Sequence, residues 1–107
     1  LGGGQGGGQG GGQSADRSTA LGLANALNSL GLVRKRLGRL AEAEALYMRA
    51  LHIREGSLGD AHPETVASRH NLAELATAMG DEMRAAEIRQ QILASLQEEA
   101  EDEKEAS

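Results

Sequence analysis

The stretch that decides the fold runs from Ala26 to Pro63 and reads ALNSLGLVRKRLGRLAEAEALYMRALHIREGSLGDAHP. Apolar residues recur in it every three or four positions, the spacing that places them on one face of an α-helix. Gly38-Arg39 interrupts this pattern once, and the run from Gly59 to Pro63 ends it. The stretch therefore predicts two helices joined by a short turn, then a longer connector in which Pro63 begins the next helix.

Helical periodicity extends beyond both ends of this stretch. It begins near Ser18, continues in a third period as far as Gly80, and resumes in a fourth after that glycine. The second period has either Ile53 or Arg54 at one of its apolar positions. The whole pattern predicts an all-α fold of four helices, joined by short, long and short connections and ordered over roughly residues 18–98.

The chain also contains an internal repeat. At an offset of 42 residues the sequence matches itself in four identical pairs: Leu30 with Leu72, Gly38 with Gly80, Ala43 with Ala85, and Leu51 with Leu93. These pairs fall at a turn glycine, at a small residue early in a helix and at helix contact positions. The repeat predicts two antiparallel helix hairpins, about 22–63 and 64–97, stacked as a short solenoid.

These residues resemble the tetratricopeptide repeat, in the longer form found in kinesin light chains and related proteins. The first unit carries the resemblance in Leu30-Gly31, Gly38, Ala41-Glu42-Ala43-Glu44, Leu46-Tyr47, Arg49-Ala50-Leu51 and the connector from Leu58-Gly59 to His62-Pro63. The second unit keeps His70-Asn71-Leu72-Ala73, Gly80, Ala85 and Leu93. It departs from the pattern with Arg89 and Ile92, where the first unit has Tyr47 and Ala50.

Packing gives independent reasons for these residue types. Helices approach each other closely only where small residues lie between them, and the chain offers five: Gly31, Ala43, Ala50, Ala73 and Ala85. We expect Tyr47 and Leu27 to fill the wider gaps. Gly38 suits a turn conformation that a residue with a Cβ resists.

The resemblance implies a protein-interaction module or adaptor that binds an extended peptide or a partner helix on its concave face. The groove positions it implies are Asn25, Asn28, Leu32 and Lys35 in the first unit, and Ala67, His70, Asn71 and Glu74 in the second. Asparagine amides suit this role because each can donate to and accept from a peptide backbone. The alternative is that these residues are only the solvated polar face that a helix needs.

A second hypothesis is a structural assembly subunit that docks through the outer face of its last hairpin onto a larger complex or a second copy. Two repeats bury little surface, and about three are normally needed for stability. The polar run Arg89-Gln90-Gln91 fits a capping helix, whereas exposure of Ile88, Ile92 and Leu96 would fit docking. A third hypothesis makes the acidic end of the chain the active part of a regulatory subunit.

Catalytic and metal-binding chemistry is not indicated. The three histidines, His52, His62 and His70, have neither HExxH spacing nor cysteine partners. Two stacked hairpins offer no closed pocket in which a nucleophile and a base could work away from water. We therefore expect a non-enzyme without metal or cofactor.

Charge and hydropathy limit the partners further. Eleven Lys and Arg against sixteen Asp and Glu give a net charge of −5, and residues 98–107 hold six of the acids and one lysine. The remaining chain is neutral and Tyr47 is its one aromatic residue, which argues against nucleic acid as a partner. No apolar run approaches the roughly 20 residues that span a bilayer. We expect no membrane insertion and, with no targeting signal visible, a cytoplasmic location.

The two ends of the chain differ from the hairpins in composition. Residues 1–17 contain three GGGQ units, which predict a flexible tether because glycine loses the most conformational freedom on ordering. Residues 98–107 form an acidic tail. Negative charge is unfavourable at a helix carboxyl end, so we expect the last helix to fray from near Glu98.

Overall fold

Four α-helices form the computed structural model, which describes the backbone of residues 3–106 and the side chains of residues 17–106. They are α1 (Gly3–Arg36), α2 (Leu40–Leu58), α3 (Pro63–Ala78) and α4 (Glu82–Ala106). Helix α1 packs on α2, α3 packs on α4, and α2 joins the two hairpins by packing on α3. The predicted all-α fold of two hairpins stacked as a short solenoid is confirmed.

The two hairpin turns have the same construction, 42 residues apart. Gly38 and Gly80 adopt φ values of +81° and +83°, in the left-handed region that glycine enters without steric cost. In each turn the amide of the next residue donates to a carbonyl five residues earlier, at 2.9 Å in the first and 2.8 Å in the second. This bond belongs to the Schellman motif, so the repeat seen in the sequence is also a repeat of backbone geometry.

The longer connector ends in a capped helix start. Gly59 has φ +87°, and His62 lies just before the first turn of α3 with its Nδ1 accepting from the Glu64 amide at 3.1 Å. Pro63 is the first helical residue, where its missing N–H leaves no bond unmade. The predicted role of Pro63 is confirmed.

The core depends on close approach at Gly31. A Cβ at this position would lie 2.7 Å from both Cδ1 and Cε1 of Tyr47, whose side chain is buried against it. Burial raises the pKa of the Tyr47 phenol; the Glu74 carboxylate adds to this rise and Arg36 opposes it. The predicted small contact residues Ala43, Ala50, Ala73 and Ala85 are all buried.

The carboxyl end of the chain runs differently from the sequence-based expectation. Helix α4 does not end near Glu98 but continues to Ala106, through a segment built almost wholly of the strong helix formers Glu, Ala, Gln and Lys. Helix α1 starts at Gly3, within the segment predicted as a tether. The side chains of residues 3–16 lie outside the described part of the structure, and the tether over residues 1–17 stays a prediction.

Two glycines of α1 provide a matched test of this packing. Gly31→Ala should lower the free energy of unfolding by about 1–3 kcal/mol, because its Cβ overlaps the Tyr47 ring and overpacking a core carries that cost. Gly22 has no atom within 4 Å of its Cβ position, so Gly22→Ala should raise the free energy of unfolding by about 0.5–1 kcal/mol. Urea denaturation measures both. Equal stabilisation by the two changes would contradict the packing described here.

Candidate functional site

Helices α1 and α3 meet through polar side chains on one face of the molecule. The Asn71 Nδ2 donates to Asn28 Oδ1 at 3.0 Å, and Lys35 Nζ lies 3.9 Å from Glu74 Oε1. Each contact joins one hairpin to the other. We name this surface the α1–α3 face; its residues are Asn28, Leu32, Lys35, Ala67, Asn71 and Glu74.

Helical spacing accounts for the membership of the α1–α3 face. Asn28, Leu32 and Lys35 are four and three residues apart, so they lie along one side of α1. Asn71 and Glu74 have the same relation on α3. Leu32 is exposed between the amide contact and the ion pair, which gives the face an apolar spot flanked by polar groups.

Two of the predicted groove residues, Asn25 and His70, differ from the rest: Asn25 shares the side of α1 that carries Asn28 and Leu32 but is engaged by α2, and His70 lies on another side of α3. The Asn25 Oδ1 accepts from Arg54 Nη2 at 2.8 Å, so this amide holds a side chain of α2. His70 is exposed on α3 beside Arg89 and Leu93 of α4. One residue along a helix is a rotation of about 100°, which directs neighbouring His70 and Asn71 to different sides. The structure therefore brings together Asn28, Leu32, Lys35, Asn71 and Glu74, with Asn25 on the same side of α1 but bonded to Arg54, and it places His70 elsewhere.

A buried arginine connects three helices behind this face. Arg54 is 7% exposed; its Nη1 donates to Ser68 Oγ of α3 at 2.6 Å and its Nη2 to Asn25 of α1. Its backbone carbonyl accepts from the Thr65 hydroxyl at 3.3 Å, and Nε lies 3.9 Å from a carboxylate oxygen of Glu64. A buried guanidinium needs such partners, so Arg54 restricts how the second hairpin can lie against the first.

A second buried arginine, Arg69, anchors the connector. Its Nη2 lies 2.6 Å from Glu55 Oε2 and 3.3 Å from Asp60 Oδ1, while Nη1 donates to the Asp60 carbonyl at 3.1 Å. The side chain is almost fully buried, and one of the two carboxylates belongs to α2 and the other to the loop after it. Arg69 thereby fixes the path from the first hairpin into the second.

Sequence reasoning missed both arginines, although both left a signal in the helical pattern. Arg54 shares an apolar position of the second helical period with Ile53, and a charged residue at such a position indicates burial with a partner. Arg69 likewise falls at an apolar position of the third helical period, three residues from both Val66 and Leu72, and the 42-residue offset pairs it with the apolar Leu27.

Other charged groups pair across helix surfaces. In the basic cluster Arg34-Lys35-Arg36, Arg34 Nε lies 3.5 Å from Glu42 and Lys35 contacts Glu74. On the opposite side of the molecule, Arg84 of α4 lies 3.4 Å from Glu44 of α2. Across the described side chains, no three His, Asp or Glu residues converge on a point where a metal ion could bind.

Within the described residues, none of the helices combines the length and the apolar character that a bilayer-spanning segment requires.

The family is shown by comparison with known sequences. The model of the tetratricopeptide repeat matches residues 22–106, which is most of the chain. The chain therefore belongs to the tetratricopeptide-repeat family, whose repeats generally mediate protein–protein interactions. No curated protein gives a significant match to this sequence.

Substitution of two carboxylates, one at a time, tests which contacts hold the hairpins together. Glu55→Gln should lower the free energy of unfolding by about 1–2 kcal/mol, because it leaves the buried Arg69 with a weaker partner. Glu74→Gln should change it by about 0.5 kcal/mol or less, because the pair with Lys35 is solvated. Thermal and urea unfolding measure both. A larger effect at Glu74 would show that the α1–α3 face, and not the connector, carries the stability.

Proposed function

We propose that this chain is an adaptor module that binds an extended peptide along the α1–α3 face. The observation that carries the proposal is the hydrogen bond between Asn28 and Asn71, which places two amides from different hairpins side by side. An amide group has two donors and an acceptor with two lone pairs. After their mutual bond, Asn28 Nδ2 can donate to a peptide carbonyl and Asn71 Oδ1 can accept from a peptide N–H.

The charges around these amides favour recognition of the peptide main chain. Lys35 and Glu74 are the ionic groups of the α1–α3 face, and their opposite charges lie 3.9 Å apart. The face thus carries no net charge with which to select a strongly acidic or basic peptide. Exposed Leu32 offers an apolar contact to one peptide side chain, so we expect selection by shape and hydrophobicity more than by charge.

The repeat length supports assignment to one type of tetratricopeptide repeat. Both the Gly38 and Gly80 turns and the starts of α2 and α4 recur after 42 residues, the spacing that resembles the repeats of kinesin light chains. We assign the chain to this longer-repeat type and to a non-catalytic adaptor role. A cytoplasmic location is part of the same proposal, and imaging of a fluorescently tagged chain tests it.

Peptide binding should depend on the paired amides. For short peptides selected against the chain by phage display, changing both Asn28 and Asn71 to Ala should weaken binding by about 1–3 kcal/mol, because polar groups of the peptide lose their partners. Isothermal titration calorimetry measures the loss. Gln90→Ala, which removes an exposed amide from α4, is the control and should have no effect.

A charge reversal on the other side of the molecule distinguishes peptide binding at the α1–α3 face from binding at the surface between α2 and α4. Arg84→Glu alters the surface between α2 and α4 and should leave peptide binding unchanged. If it weakens binding more than the double asparagine variant does, the binding site lies on that surface and the proposal for the α1–α3 face is wrong.

A second candidate function, assembly through the last hairpin, is favoured by the outer side of α4. Leu93 is 54% exposed and Leu96 is 43% exposed, and both line a shallow, mainly apolar depression with Ile92, His70 and Arg89. The sequence-based version of this hypothesis rested on Ile88 and Ile92 as well. The structure buries those two in the core, so docking would depend on Leu93 and Leu96.

A further inference from the structure

The two ends of the stacked hairpins each present an exposed apolar surface. We define the head face by Leu23, Leu30, Val33 and Leu37 of α1, and the tail face by Leu93 and Leu96 of α4. All six side chains are between 42% and 62% exposed. Within the part of the chain that the structure describes, no helix covers either face.

The contact between α2 and α3 shows what covers such faces inside the molecule. Leu51 of α2 belongs to the same buried cluster as Leu72 and Leu75 of α3. The 42-residue repeat carries Leu72 and Leu75 back to Leu30 and Val33 of the head face. It carries Leu51 forward to Leu93 of the tail face. Each open face is therefore the repeat equivalent of one side of an interface that the chain already forms.

The polar side-chain contacts that Arg54 makes with α3 have no equivalent on the two open faces. The hydrogen bond from Arg54 to Ser68 corresponds, after the shift, to Leu96 opposite Ala26. The ion pair of Glu55 with Arg69 corresponds to Gln97 and Leu27, but Leu27 is buried within the first hairpin and does not belong to the head face.

Two further polar contacts change in the same way. The Arg54–Glu64 ion pair becomes Leu96 opposite Gly22, and Thr65, which donates to the Arg54 carbonyl, becomes Leu23. The charged Arg54 and its side-chain partners Ser68 and Glu64 are thus all replaced by residues without polar side chains, whereas Asp60, which pairs with Arg69, corresponds to Asp102 and keeps its charge.

This matched change identifies the occupant of each face. An arginine buried against the apolar head face would lack partners, and Ser68 or Thr65 buried against Leu96 would lose theirs, both of which cost free energy. The head and tail faces are each poorly suited to the internal surfaces but are complementary to each other. Because one chain carries both faces, each copy offers the complementary surface to any other copy.

We propose that copies of this chain associate head to tail, with Leu93 and Leu96 of one copy packed on Leu30 and Val33 of the next. The inference rests on the second candidate function, assembly through the last hairpin. It adds the head face as the second contact surface and names a second copy of the chain as the partner. Such a contact joins different surfaces of the two copies, so it can continue into longer rows. It leaves the α1–α3 face of every copy open to a peptide.

Sedimentation equilibrium of the chain and two single variants tests this arrangement. The unmodified chain should increase in mass with concentration. Leu30→Glu on the head face and Leu93→Glu on the tail face should each raise the dissociation constant roughly tenfold or more, because each buries an unpaired charge. Met48→Glu changes an equally exposed apolar residue away from both faces and should have no effect.

A mixture of the two variants is the decisive arm. The Leu30→Glu chain keeps an unmodified tail face and the Leu93→Glu chain keeps an unmodified head face. Together they should form a complex of two chains that neither variant forms alone. Circular dichroism checks that each variant is folded. Val33→Glu and Leu96→Glu replace them if one is not.

Contradictory outcomes point to different failures. A single-chain mass at every concentration up to about 1 mM overturns the inference, and so does a mixture that stays monomeric. Association lost in Leu93→Glu but unchanged in Leu30→Glu also overturns it, while leaving docking through the tail face in place. None of these results affects peptide binding at Asn28 and Asn71, which calorimetry follows separately.

Discussion

The buried guanidinium of Arg54 is the constraint on which the arrangement of the two hairpins depends. Hydrophobic packing between α2 and α3 is non-directional and tolerates small rotations, but Arg54 must reach Ser68 on one side and Asn25 on the other. Its burial without these partners would cost several kcal/mol. The angle between the hairpins follows from satisfying this group, and with it the approach of Asn28 to Asn71. The α1–α3 face is therefore a consequence of a contact that lies behind it.

The sequence predicts the local features of this fold well. Helix periodicity, the glycines of the two turns and Pro63 at a helix start all act within a few residues, and the burial of Tyr47 follows from its predicted place in a gap between helices. Partners of Arg54 lie 14 and 29 residues away, and local patterns do not encode such pairings. Likewise, whether His70 or Asn71 faces α1 depends on the rotation of α3, which Arg54 and Arg69 set together.

The same repeat serves three surfaces with different chemistry. The internal α2–α3 interface is polar at Arg54 and Ser68, the end faces are apolar at the equivalent Leu96 and Ala26, and the α1–α3 face keeps amides with hydrogen-bonding capacity to spare. If the proposed functions hold, this chain separates internal stacking, assembly and binding through a few side chains at repeat-equivalent positions. The fold supplies the geometry, and these substitutions decide what each surface contacts.

The most direct test of the role of Arg54 is the relative orientation of the two hairpins in Arg54→Met, measured by residual dipolar couplings of backbone amides. Methionine fills a similar space without hydrogen bonds. The helices should therefore persist, and overall stability need not fall. The account predicts that the α1–α2 and α3–α4 hairpins each keep their internal geometry while the angle between them changes or becomes variable. An unchanged, well-defined angle in Arg54→Met would contradict it.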